Sequence, residues 1–170
     1  MKIYNVIFSM FFVLFCTNLS YSQIDNERTL DAVFNHWMML NCGTADKIDW
    51  KLEIGQYAEQ IEPLFLEAFK NGPDSKRLAE SSKASQLRFQ MTQEYMSSEN
   101  NILSDEDIER YKNLKAEEYV ELENKDFIFS YKSNALSGLG LIKSKSAIDF
   151  LKRIVDNSES PFQAIAALAL

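Results

Sequence analysis

The chain holds one histidine and two cysteines in 170 residues. The side chains that carry most nucleophilic and metal chemistry are therefore scarce. His36 lies in "FNHWMML", with no Cys, His or Asp at metal-ligand spacing beside it. A zinc site draws about four ligands from such a set. A Ser-His-Asp triad would have to use His36, and no nucleophile-elbow motif is present to serve it. Cys42, in "LNCGT", has no accompanying His or Asn pattern and reads as a partly buried thiol at a helix end. The run "SDEDIERYKNLKAEE" sets Asp105, Asp107 and Glu109 at alternate positions, as the ligands of a calcium loop stand. Such a loop needs Gly at its sixth position and Glu at its twelfth, and here those positions are Arg110 and Ala116. The run reads instead as a capped, solvated helix start, with Ser104 and Asp107 as a capping-box-like pair. Glu117, Glu118, Glu121 and Glu123 read as a wet helix face. No catalytic, cofactor-binding or metal-ligating residue is assigned, and no cofactor is expected.

Composition narrows the setting. The formal charge is −7, so no basic stripe is available to neutralise phosphates, and nucleic acid is not an expected partner. The first residues, "MKIYNVIFSMFFVLFCTNLSYSQ", carry an early Lys2, an apolar stretch from Val6 to Cys16, and a small-x-small triplet Ser20-Tyr21-Ser22. That order is a secretory signal peptide over residues 1–22, cleaved before Gln23. The apolar run is shorter than the roughly 20 residues that span a bilayer, so no stable membrane anchor is expected after cleavage. Phe15 precedes Cys16 where a lipoprotein signal would place a small residue, which argues against lipidation. The expected location is exported, periplasmic or secreted. Cys42 is then the only cysteine of the mature chain and has no internal disulfide partner.

The elements that would position any site read as helices. Few Pro and Gly (three and five) disfavour a turn-rich β fold. Leu30, Val33, Phe34, Trp37 and Met38 recur at three- and four-residue spacing, the stripe of an amphipathic helix, with Gly43 as its stop. Pro63 predicts a split between a helix near 47–60 and another near 63–70. Asn71-Gly72-Pro73 predicts a terminator, and Asp74 or Ser75 a cap for the next helix, whose apolar face is Ala84, Leu87, Met91 and Tyr95. Farther on, Ile128, Tyr131, Ala135, Leu139 and Ile142 share a helical face, as do Ala147, Ile148, Leu151, Ile154 and Val155. Phe127, Phe129 and Tyr131 are expected in core packing, as are Trp37, Met38 and Met39.

The last third also repeats itself. Ala164 follows Ala135 by 29 residues, and "ALSGLG" and "AIAALA" alternate small and large residues in the same order. A helix–turn–helix recurrence near 30 residues is the mark of an α-solenoid. Gly138 and Gly140 each cost about 1 kcal/mol of helix propensity relative to Ala, so close packing or a helix end is expected there. "NALSGLGLIKSKSAIDFLKRIVDNSESPFQAIAALAL" resembles HEAT repeats of the short bacterial kind. The positions that carry the resemblance are Ala135, Leu139, Gly140, Ile142, Ala147, Ile148, Leu151, Asp156, Ala164, Ala167 and Leu168. Upstream of residue 127 the pattern decays. There Lys125 and Asp126 stand against Ile154 and Val155.

The expectation is an all-α chain: a helical-hairpin array with a HEAT-like α-solenoid in its C-terminal third. Residues 23–126 form a helical region of divergent repeats or a cap, and residues 127–170 form the repeat region. Its packing residues are Ala135, Leu139, Ile142, Ala147, Ile148, Leu151, Ile154, Ala164, Ala167 and Leu168. The resemblance implies protein–protein interaction or scaffolding, with another protein or further repeats of a longer chain as partner. The competing class is a small-molecule- or peptide-binding enzyme or an enzyme accessory domain. The apolar ending "SPFQAIAALAL" reads as an inner repeat helix with one face left open.

Overall fold

The computed structural model describes residues 28–40, 49–97 and 104–170. The signal segment, Cys42 and Gly43 lie outside these. Among the described residues the structure is all-helical, with no strand. No described helix is long and apolar enough to cross a membrane.

Helix α1 (Leu30–Met38) starts where the Thr29 hydroxyl accepts the Ala32 N–H at 3.3 Å. Its five stripe residues all join the core, with Val33 and Met38 buried in it. Helix α2 (Trp50–Gln56) is capped by Asp49, which accepts the Leu52 N–H at 3.1 Å. Helix α3 follows over Ala58–Asn71. The break between them is Tyr57, not Pro63, which lies inside α3. Tertiary structure holds the break there. The Tyr57 hydroxyl donates to the Arg28 carbonyl at 2.5 Å, while Ile61, Phe65 and Ala68 bury the face of α3 on both sides of the exposed Pro63. Gly72 ends α3 at φ 74°, a left-handed conformation that only glycine adopts without strain.

Helix α4 (Ser75–Met96) is capped by Asp74, whose carboxylate accepts the Arg77 N–H at 2.8 Å. It packs against α6 the unexpected way round. Its apolar residues Ala84, Leu87, Met91 and Tyr95 are all exposed. Ser85 is fully buried, and the α6 side is tied by polar contacts and one aromatic pair: Asn124 donates to the Ser82 hydroxyl at 2.8 Å, Arg88 pairs with Glu123, and the Phe89 and Tyr119 rings lie 5.4 Å apart. Helix α5 (Asp105–Asn113) begins at the acidic run and rests on α4, where Gln93 donates to the Tyr111 carbonyl at 3.0 Å.

Helix α6 (Ala116–Ile142) is the axis of the molecule. It touches α1, α2, α3 and α4, then α7 (Lys145–Val155) and α8 (Gln163–Ala169). Tyr131, Ala135, Leu136, Gly138, Leu139 and Gly140 are buried, and no residue from Tyr131 to Ile142 is exposed, so this half of the helix is covered on all sides. The small residues make this coverage feasible. A methyl group at Gly138 would stand 2.6 Å from the Phe65 ring, and one at Gly140 would stand 2.8 Å from the Ala169 side chain. The same gap lets the Trp37 indole N–H reach the Asn134 carbonyl at 2.7 Å. Asn134 returns the contact: its amide donates to the Met38 and Leu40 carbonyls at 3.2 and 3.0 Å, satisfying the end of α1. Residues 126 and 127 are consecutive within α6, and one core cluster draws on both sides of them.

The C-terminal segment folds as helix–turn–helix–turn–helix, α6–α7–α8. Ser144 caps α7 by accepting the Ala147 N–H at 3.0 Å. Gln163, the one polar residue of the final ten, donates to the Val155 carbonyl at 2.6 Å and closes the end of α7. Phe162 anchors α8, stacked on Phe129 at 4.9 Å and edge-on to Phe69 at 5.2 Å.

Candidate functional site

Seven of the ten expected packing residues lie inward. Ala135, Leu139, Ala147 and Leu151 are buried, and Ile142 and Ile154 pack against the core from its margin. Ile148 is half-buried. The other three do not pack: Ala164 and Ala167 are exposed, and Leu168 is 89% exposed. Ile165, Ala166 and Ala169, together with Phe162, form the stripe that α8 buries. The cause is the docking of Phe162 between two rings and of Ala169 against Gly140. Together these turn Ala166 inward and its neighbours out. The three aromatic residues of α6 also part company. Phe127 and Tyr131 lie on one face with centroids 6.1 Å apart, and Phe129 lies on another, against α8.

None of the ten lines the cavity with the most developed chemistry. That cavity, of about 650 Å³, opens where α1, α4 and α6 diverge. Ser81 and Ala84 of α4 and Ser130 of α6 are short side chains in its lining and leave the space open. Its apolar lining is Met38, Met39, Leu40, Phe127 and Tyr131, and its polar lining includes Ser81, Ser130 and Asn134. Met39, at 52% exposure, marks the mouth.

Two guanidinium groups stand in the lining, and both are held by neighbours. Arg77 pairs with Asp74, donates to the Asn35 side-chain oxygen on α1, and lies 5.9 Å over the Tyr131 ring. Arg88 pairs with Glu123 and donates to the Ser85 hydroxyl at 3.0 Å. The hydrogen bond that Arg88 donates to Glu123 makes its guanidinium still harder to deprotonate than usual. Burial pushes the Tyr131 hydroxyl above its ordinary 10.0, with the nearby Arg77 charge opposing. The phenol therefore stays neutral at physiological pH and acts as a hydrogen-bonding group. Glu80 and Asp126 add carboxylates at the edge. This set can orient a ligand by charge and hydrogen bonding over an apolar floor, the usual composition of a binding pocket.

His36 stands away from the cavity lining. It contacts Arg28 at 3.2 Å and lies edge-on to Trp50 at 5.1 Å. No group of three or more His, Cys, Asp or Glu among the described residues is placed to hold a metal. The sequence reading did not single out Asn134, Arg77 or Arg88. Their partners lie 94, 42 and 35 residues away, and no local pattern marks such pairs. No family model matches the chain, and neither curated proteins nor solved structures give a significant match.

Proposed function

We propose that this protein is an exported helical-repeat interaction module that holds a segment of another polypeptide in the groove between α1, α4 and α6. The observation that carries the reading is the groove itself: about 650 Å³ of space with an apolar floor and two arginines already fixed by neighbours. Fixed side chains lose little rotamer freedom when a ligand binds, so contacts to them cost less ordering entropy. In this reading α6, α7 and α8 are the HEAT-like unit, with the outward residues Ala164, Ala167 and Leu168 as its open face. Export follows from the signal-like first 22 residues. The runner-up, a small-molecule-binding enzyme or accessory domain, draws on the same cavity, whose volume also suits a small ligand.

A displayed peptide library selected on the mature chain separates the two. Bound peptides should lose affinity in Ser81→Trp and Ser130→Trp, which fill the groove, while thermal unfolding of both variants stays near wild type. Peptides indifferent to both substitutions would sink the groove reading. A metabolite that raises the melting temperature, with that rise abolished by Ser130→Trp, would favour the runner-up.

A further inference from the structure

Helix α4 buries a mixed stripe, with Ser85 and Met96 buried and the Phe89 ring against Tyr119, and shows an apolar one. Leu87 and Met91 are 57% and 60% exposed, Tyr95 is 38% exposed, and Ala84 is exposed beside them. At 100° per residue these four fall within one quadrant of the helix, and the exposed Lys83 and Glu94 fall together on one flank of it. A contiguous apolar stripe of this kind on a helix surface marks an interaction site.

The order of residues along the stripe identifies the occupant. The pairs Leu87/Met91, Lys83/Glu94 and Ala84/Tyr95 are each centred within one residue of Phe89. A stripe symmetric about one point is complementary to an antiparallel copy of itself, because a two-fold axis through that point exchanges the members of each pair. We infer that α4 is a homodimerisation surface, with two copies of the helix packed antiparallel about Phe89.

In that arrangement Leu87 meets Met91 of the second copy, and Met91 enters the shallow depression of about 480 Å³ that Lys83, Ala84, Leu87 and Gln90 line. The two-fold axis keeps residues of one flank together. Lys83 therefore faces Glu94 of the second copy, and this pairing occurs twice. On the opposite flank Ala84 leaves room for the Tyr95 ring. A parallel pairing would carry the Lys83/Glu94 flanks of the two copies to opposite sides of the interface, so only the antiparallel arrangement brings Lys83 to Glu94. The stripe meets the peptide groove at Ala84, which lines both, but the dimer is read from sedimentation and the groove from peptide binding, so one can fail without the other.

Sedimentation equilibrium of the full mature chain tests the inference. The expected result is a reversible dimer. Leu87→Glu and Met91→Glu should be monomeric with an unchanged helical circular-dichroism signal. Lys83→Glu should raise the dimer Kd by about tenfold, since two attractive pairs become two repulsive ones. Adding Glu94→Lys to Lys83→Glu should return Kd to near wild type. A wild-type chain that stays monomeric at every concentration overturns the proposal. So does a dimer indifferent to Leu87→Glu, or a charge reversal that the second substitution does not rescue.

Discussion

At the scale of single residues, two glycines and one aspartate control how α6 and α4 sit. Gly138 faces the Phe65 ring, which is fully buried and has no room to yield. The strain of an added methyl in a packed core, about 1–3 kcal/mol, then outweighs the roughly 1 kcal/mol of helix propensity that alanine supplies. Gly138→Ala should lower the melting temperature of the whole chain, read by circular dichroism. Gly140 faces the Ala169 carbonyl and side chain on the short helix α8, and α8 can move away. Gly140→Ala should therefore cost less global stability and instead speed proteolysis within residues 161–170. The Asp74 carboxylate behaves differently again. The Arg77 N–H that it caps, aided by the Arg77 charge, holds it below its ordinary 3.8. Because the folded value lies below the unfolded one, the carboxylate stabilises the fold above the unfolded value. That contribution fades as pH falls through the folded value. Asp74→Asn keeps a capping side chain but does not titrate. It should be less stable than wild type at neutral pH, and urea titrations should show the gap closing as the pH drops below 3.8.

At the scale of elements, α3 carries a proline that its propensity alone would place elsewhere. Pro63 has no N–H to give to the Glu59 carbonyl, and its ring crowds that turn. It is exposed, and no described aromatic or polar contact depends on it. Pro63→Ala should thus stabilise the protein by about 1 kcal/mol or more, seen as a higher urea midpoint with an unchanged slope. Helix α4 shows the reverse conflict, an apolar pattern left in solvent and a serine row turned inward. Such a departure from pattern is expected where a surface serves binding rather than folding. Here it leaves the outward stripe about Phe89.

At the scale of the molecule, α6 replaces a chain of neighbour-only contacts with a shared axis. Helices from both ends of the described chain meet on it, and the Trp37–Asn134 exchange joins residues 97 positions apart. The final helix tests how far this core extends. Ala166 is fully buried and Leu168 is 89% exposed, two residues apart. Ala166→Asp should destabilise by about 3 kcal/mol or more, because an unpaired charge is taken out of water. Leu168→Lys should stay within about 0.5 kcal/mol of wild type in thermal unfolding. If Leu168→Lys instead unfolds the chain, α8 docks by a different face.

Much of this was local enough to read in advance. Helical content, the Gly72 terminator and the Asp74 cap each depend on a few consecutive residues. So do the stripes Leu30–Met38 and Ala147–Ile154, and the close packing at Gly138 and Gly140 is marked by glycines that a helix tolerates only for a reason. These follow from backbone sterics and from hydrogen bonds that close within one turn. Three outcomes needed the tertiary structure. The break fell at Tyr57 because a hydroxyl from there reaches Arg28. Helix α4 turned its Ser82 and Ser85 side inward because Tyr119, Glu123 and Asn124 of α6 met Phe89, Arg88 and Ser82 there. The last helix presented Ala166 and not Leu168 because Phe162 had already found two rings. In each case competing faces or break points had similar local energies, and contacts between residues far apart in sequence decided among them.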